Sequence, residues 1–280
     1  MPEGPETHAL ADRLSTLLVD ETLRAVRFID PKLQRRRALL EGKRVLAVEA
    51  RGKALLTAVE SGWTLYTHSH LFGFWRFVDE REALPEGAPP RLVLATVRGV
   101  AALYAAPSIA LWQTDALDRH PYLVKLGPDV LDPGVDAGDL LAHMRTPRFD
   151  KRTLAVLLLD QGFAAGMGNY LRSEVLFQAR LSPHRILQDL TAGERRRLAN
   201  ALLDVPRRAY RSKHEADVPP GKDYLATTRT GFGFKVFERA GAPCHRSHAI
   251  RWAMTRVFPD PAPASTSSPS SRRCMPPARS

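Results

Sequence analysis

The apolar positions change period along the chain. Between Thr7 and Leu18 they recur at Leu10, Leu14, Leu17 and Leu18, one face of a helix. After that come short runs rich in β-branched and aromatic residues. RVLAVEA, KALLTAV, WTLYTH, RLVLATV and VAALYAA are separated by turn signals, and Arg51-Gly52 and Arg98-Gly99 read as hairpin turns. Runs of this kind between residues 22 and 115 predict a β-sandwich or barrel preceded by one helix. The stretch LGPDVLDPGVDAG, residues 126–138, breaks both periods and reads as a linker. Beyond it the helical period returns in DLLAHMR, KRTLAVLLLDQ, NYLRSEVLFQAR and TAGERRRLANALL. Thr191 and Glu194 form a capping box ahead of the last of these. The prediction is about four helices from roughly 136 to 215. The alternating aromatics of TRTGFGFKVFER, 228–239, then predict a strand.

Composition adds a partner class. The 280 residues carry 41 Lys and Arg against 30 Asp and Glu, a formal charge of +11 and a pI near 10.1. So basic a chain points to a polyanion, either nucleic acid or an anionic membrane surface. Hydrophobic residues make up 44%, enough for a substantial core, yet no run of 18 apolar residues exists and no membrane span is expected. The N-terminus lacks the build of a signal peptide. Two cysteines, Cys244 and Cys274, cannot make a disulfide framework, and the expected compartment is the cytosol. The last 22 residues hold six Pro and six Ser and are expected to be disordered.

Four stretches carry candidate chemistry. The chain opens MPEGPE. Proline is small enough to permit removal of Met1, which leaves Pro2 with a secondary amine. An α-amino group titrates near 7.7–8.0, well below lysine, so it is nucleophilic without burial. Glu3, one residue away, suits a general acid and then a base. The plain alternative is a chain start followed by a helix N-terminus, where Glu6 favours the dipole. Lys53 sits at a glycine turn, as an ordinary surface lysine also does. In GMGNYLRSE, Asn169 opens a helix whose free N–H groups favour a phosphate, although helix packing alone explains the glycines. In HSHLFGFW, His70, Leu71 and Phe72 suit an apolar wedge with a polar tip, or a buried hairpin core.

Together these stretches resemble the formamidopyrimidine-DNA glycosylase and endonuclease VIII family, closest to its bacterial endonuclease VIII branch. PEGPE, ETLRAVRF, VEARGKALLT, TLYTHSHLFGFWR, LGPDVLDP, LLLDQGFAAGMGNYLRSE and FKVFERAGAPC stand in the family's order and spacing, over about residues 1–246. The resemblance implies an α+β chain of two domains: an N-terminal β-sandwich with a flanking helix (1–125), a linker (126–135) and a helix-two-turns-helix domain (136–227). A degenerate zinc-finger remnant (228–248) and a disordered, frame-altered tail (249–280) follow.

By the same resemblance, Pro2 is the Schiff-base nucleophile, Glu3 the general acid, and Lys53 a phosphate contact that assists elimination. Asn169 binds phosphate. His70 stands where the endonuclease VIII branch usually fills the flipped-base void with glutamine, beside Leu71 and Phe72. Lys125 replaces a DNA-contacting arginine, keeping the charge and losing the fork. Glu6, Arg172 and Glu174 are supporting residues.

The implied activity is bifunctional: excision of oxidised bases, pyrimidines foremost, then nicking by β-elimination, which a δ-elimination can follow. No cofactor is needed for that chemistry. The implied partner is double-stranded DNA with oxidised bases or abasic sites, bound by a cytoplasmic, nucleoid-associated monomer. The family's structural zinc is doubtful here. Cys244 is followed by His248 rather than a second cysteine, and four ligands are required. Two alternatives remain: a catalytically weakened DNA-binding relative, and an unrelated N-terminal-proline enzyme such as a tautomerase.

Overall fold

The computed structural model describes residues 2–79, 84, 87–215 and 232–246. Helix α1 (Gly4–Leu18) starts three residues earlier than its apolar spacing predicts. The reason is local: the Glu6 carboxylate accepts the Glu3 N–H at 3.0 Å, and Pro5 occupies the first turn, where no N–H is missed. Eight strands follow: β1 (Ala25–Phe28), β2 (Val45–Arg51), β3 (Ala54–Val59), β4 (Trp63–His68), β5 (Phe74–Val78), β6 (Leu92–Thr96), β7 (Gly99–Tyr104) and β8 (Ser108–Gln113). A one-turn helix, α2 (Pro31–Gln34), lies between β1 and β2.

The strands form two four-stranded antiparallel sheets, ordered β1-β6-β7-β5 and β2-β3-β4-β8, so the arrangement is a sandwich. Period-two alternation builds its core. Val48, Leu55, Leu65 and Leu111 of one sheet meet Phe28, Trp75, Leu92 and Leu103 of the other, with Leu10, Leu14 and Leu18 of α1 in the same cluster. β2 and β3 close through a two-residue turn, Gly52-Lys53, with Gly52 at φ +62°. That backbone favours glycine, and it puts Lys53 at the hairpin tip.

The second half contains α3 (Ala137–His143), α4 (Leu154–Leu157), α5 (Asn169–Ala179) and α6 (Ala192–Glu215). Thr191 and Glu194 do cap α6: each backbone N–H donates to the other's side chain, at 2.8 and 3.2 Å. The 126–135 stretch packs closely. Gly127 donates to the Gln161 carbonyl, Ala165 donates to Pro128, and Val130 and Leu131 lie in the helical core.

Two sequence expectations fail here. KRTLAVLLLDQ makes a helix of only one turn, α4, shorter than its apolar run predicts. Asp160 accepts the Gly162 N–H and pairs with Arg152, which turns the chain back just past the apolar run. Residues 232–239 are turns and bends, not a strand. Their aromatics gather around α5 instead, with Phe232, Phe234 and Phe237 ringing Tyr170. The expectations for 249–280 and for His248 lie outside the described residues. Among the described residues, no helix is long and apolar enough to cross a membrane.

Candidate active site

The beginning of the chain is buried between the two halves. Gly4 donates to the Gly166 carbonyl at 2.7 Å. The Glu3 carboxylate reaches the N-terminus of α5 and accepts the N–H groups of Tyr170 (2.9 Å) and Leu171 (3.1 Å). It thereby caps a helix that begins far along the chain. The close approach depends on Gly168, because a Cβ there would stand 2.2 Å from the Glu3 carboxyl carbon. These bonds also correct the phosphate-seat expectation for the backbone of α5: the Tyr170 and Leu171 N–H groups belong to Glu3. Asn169 remains exposed at the helix mouth.

Glu3 is buried, and burial pushes its pKa up to about 7. The charge of Lys53 and the two α5 bonds pull it down, while Glu6 pushes it up. A carboxyl poised near neutrality can both give and take a proton, as acid–base work requires. Pro2, half-buried, is its chain neighbour.

Glu6 does more than favour a helix dipole. Its carboxylate accepts the Glu3 N–H, accepts the Tyr170 hydroxyl at 3.1 and 3.2 Å, and pairs with Lys213 Nζ of α6 at 3.1 Å. Burial and the Glu6 charge keep the Tyr170 phenol protonated, so it donates. Tyr170 and Lys213 were not singled out from sequence. Tyr170 stood inside the GMGNYLRSE motif, and Lys213 had no local signal.

Lys53 is buried at its hairpin tip. Burial lowers its pKa, against the opposing pull of Glu3 and Glu6. The tip is pinned from the 120–131 strap. The Lys53 N–H donates to the Tyr122 hydroxyl (3.1 Å), and the Gly52 N–H donates to Asp129 Oδ2 (2.7 Å). A cleft of about 660 Å³ opens beside Lys53, lined by Tyr66, His68, His70, Trp112 and Tyr122 among others.

The β4–β5 turn is an exposed wedge rather than a hairpin core: Leu71 is 62% and Phe72 77% exposed. Contiguous exposed apolar side chains on a tight turn are costly unless something covers them. His70 sits at φ +49°. Its N–H donates to His68 Nδ1 at 3.0 Å, and its Nε2 lies 2.9 Å from Ser108 Oγ. Burial, His70 and Lys53 lower His68 to about 4, so its ring is a neutral acceptor.

Lys125 is exposed midway along the strap. Arg172 is buried and donates to the Ala155 carbonyl. Glu174 accepts the N–H groups of Lys235, Val236 and Phe237, tying 232–246 to α5.

Among the described residues, the donors for a structural metal are incomplete. The chain has only two cysteines, too few for a four-thiolate site. Cys244 is buried near Arg246, and no group of three or more His, Cys, Asp or Glu comes together among the described residues.

The family model described as the formamidopyrimidine-DNA glycosylase N-terminal domain matches residues 1–107, and that of the H2TH domain matches residues 126–217. A relative named Endonuclease 8 from Escherichia coli O17:K52:H18 (strain UMN026 / ExPEC) is 42% identical over 250 residues, 89% of this chain and 93% of its own. One of the same name from Shigella sonnei (strain Ss046) is 41% identical with the same coverage. Among solved structures, MutM (Fpg) from Thermus thermophilus aligns with a TM-score of 0.71 at 32% identity, covering 89% of this chain and 92% of its own. Lactococcus lactis Fpg, in complex with DNA containing N7-benzyl-Fapy-dG, aligns with a TM-score of 0.75 at 20% identity, covering 89% and 93%.

Proposed function

Because the chain belongs to the formamidopyrimidine-DNA glycosylase and endonuclease VIII family, we propose that Pro2, Glu3 and Lys53 form its reaction centre and that oxidised bases, pyrimidines foremost, are its substrates. The protein is a DNA glycosylase and AP lyase of base excision repair. The observation that carries the residue assignment is the buried Glu3 carboxyl, one residue from Pro2, bonded to the start of α5 and within electrostatic reach of Lys53.

The chemistry follows from these groups. A damaged nucleotide is turned out of the duplex, the wedge at His70–Phe72 taking the vacated space. Once Met1 is gone, the Pro2 lone pair forms a bond to C1′. The C1′–base bond breaks, and its electrons leave with the base, which takes a proton from Glu3. The Pro2 nitrogen then gives up its N–H proton, its lone pair breaks the C1′–O4′ bond, O4′ takes up that proton as a hydroxyl, and the iminium cation so formed acidifies the C2′ proton. Removal of that proton by a carboxylate breaks the C3′–O bond and releases the 3′ phosphate. Water then hydrolyses the iminium and restores the amine. Lys53, Asn169 and Lys125 hold phosphates. Glu6, Arg172 and Glu174 hold the scaffold around them.

The weakened-relative alternative is not favoured, since the nucleophile, acid and lysine are all present. The short tautomerase alternative has no counterpart to the basic helical half. We keep the division into 1–125, 126–135 and 136–227, a monomeric state, and a cytoplasmic location on DNA as parts of the same reading.

An end-labelled abasic duplex with borohydride tests the function. A covalent protein–DNA adduct is expected, and without borohydride the main product is the 3′ unsaturated aldehyde. No stoichiometric zinc should accompany the protein. Absence of any adduct overturns the assignment of Pro2. One zinc per chain with a clean δ-product overturns the account of the residues after 228. DNA binding should weaken linearly in log K against log salt, by about 0.9 per phosphate neutralised. A flat plot would contradict phosphate contacts by Lys53 and Lys125.

A further inference from the structure

We propose that Lys213 is a positioning residue for the reacting amine, acting through Glu6 on the peptide that joins Pro2 to Glu3. The inference rests on the reaction proposed for Pro2. Lys213 lies in the last turn of α6, and its side chain is only 2% exposed. A lysine buried this deeply needs a partner, and its Nζ sits 3.1 Å from Glu6 Oε1. The other oxygen, Glu6 Oε2, accepts the Glu3 N–H at 3.0 Å. That N–H belongs to the peptide plane whose acyl side is Pro2. The contact therefore runs Lys213, Glu6, Glu3 N–H, Pro2. Tyr170 fixes the same carboxylate from α5.

The cation has a second effect on the site. The groups acting on the Glu6–Glu3 pair are Lys213 from α6, Tyr170 and Arg172 from α5, and Lys53 from the β2–β3 tip. Glu6 raises the proton affinity of Glu3. Without Lys213, the Glu6 charge acts on Glu3 with less compensation, and the Glu6 carboxylate is free to swing from the Glu3 N–H.

A merely structural role for Lys213 has a built-in control. Tyr210, nearly one turn earlier on α6, donates its hydroxyl to Asp12 Oδ2 of α1 at 2.7 Å. It bridges the same two helices through Asp12. Compare the parent with K213M, K213R and Y210F under single-turnover conditions at saturating abasic and damaged-base duplex, with thermal melting and DNA affinity measured alongside. K213M is expected to slow borohydride trapping by up to about 10²-fold, the cost of misplacing a reacting group by an ångström, with little change in affinity. The high-pH fall of its base excision is expected to move to higher pH, and K213R to regain most of the rate. Y210F is expected to lower the melting temperature and leave rate and pH profile alone. Should K213M melt below the assay temperature, K213Q, which loses the charge but keeps a donor, carries the same comparison.

Trapping by the charge-free variant within about twofold of the parent overturns the role of Lys213. So does an equal loss in Y210F, or an unmoved pH profile. A parent chain that traps nothing overturns the functional reading itself.

Discussion

One extra residue ahead of Pro2 abolishes borohydride trapping while binding to damaged duplex persists. An amide nitrogen has no available lone pair, so neither an added residue nor a retained Met1 leaves a nucleophile at that position. The fold should survive the addition, because anchoring starts just after it. Glu3 N–H is held by Glu6, and Gly4 N–H by the Gly166 carbonyl. Phosphate contacts assigned to Lys125 and Asn169 are on exposed side chains elsewhere and are untouched. Trapping is read as a slower-migrating covalent band, and binding as retention on the same duplex. A band of undiminished intensity from the extended chain would sink Pro2 as nucleophile.

Glu3→Gln costs excision of a damaged base on the order of 10²–10⁴-fold and costs cleavage of a pre-formed abasic site far less. The leaving base needs a proton, whereas an abasic sugar has no base to protonate. Tyr170 and Leu171 donate to different Glu3 oxygens, so glutamine keeps one of the two bonds of the helix cap and loses the other. pH gives a second reading. Glu3 is raised from 4.5 to about 7, so its proton is present below that value and lost above it. Excision by the parent should fall as pH rises through 7, and the residual activity of the variant should lack that fall. Equal losses on both substrates would make Glu3 a positioning group instead.

Much of the scaffold was legible from period alone. The runs at 44–50, 53–59, 63–68, 91–97 and 100–106 correspond to β2, β3, β4, β6 and β7 within a residue or two. β1 and β5 were not read because each sets a polar residue, Arg27 or Arg76, between its buried ones, and β8 because only Leu111 in it is buried. FKVFER misled because aromatic alternation is equally produced by a loop wrapped on one tyrosine. KRTLAVLLLDQ misled because leucines buried from several directions have no single face.

At the site, Pro2, Glu3 and Lys53 were legible as reactive groups in special local settings. Their partners were not. Tyr170 meets Glu3 and Glu6 across more than 160 residues of chain, and Lys213 looks in sequence like one more charge on a basic helix. Asp129 and Tyr122, which pin the Lys53 tip, are ordinary residues until the strap folds under the hairpin. Electrostatic tuning of this sort is a property of tertiary burial, which no local window contains.

The seat of the chain's first residues is built from residues more than 160 positions later. Gly166, Gly168, Tyr170 and Lys213 all hold the segment that begins at Pro2. During synthesis that segment leaves the ribosome first. At about 5–20 residues per second it waits on the order of 10–40 s for Lys213 to be made. Throughout that interval Glu3 is an ordinary solvated carboxylate, and the terminal amine has no cleft to work in. The enzyme is thus armed only once α6 has been made, and a ribosome-bound or truncated product ending before α6 carries the nucleophile without the means to use it.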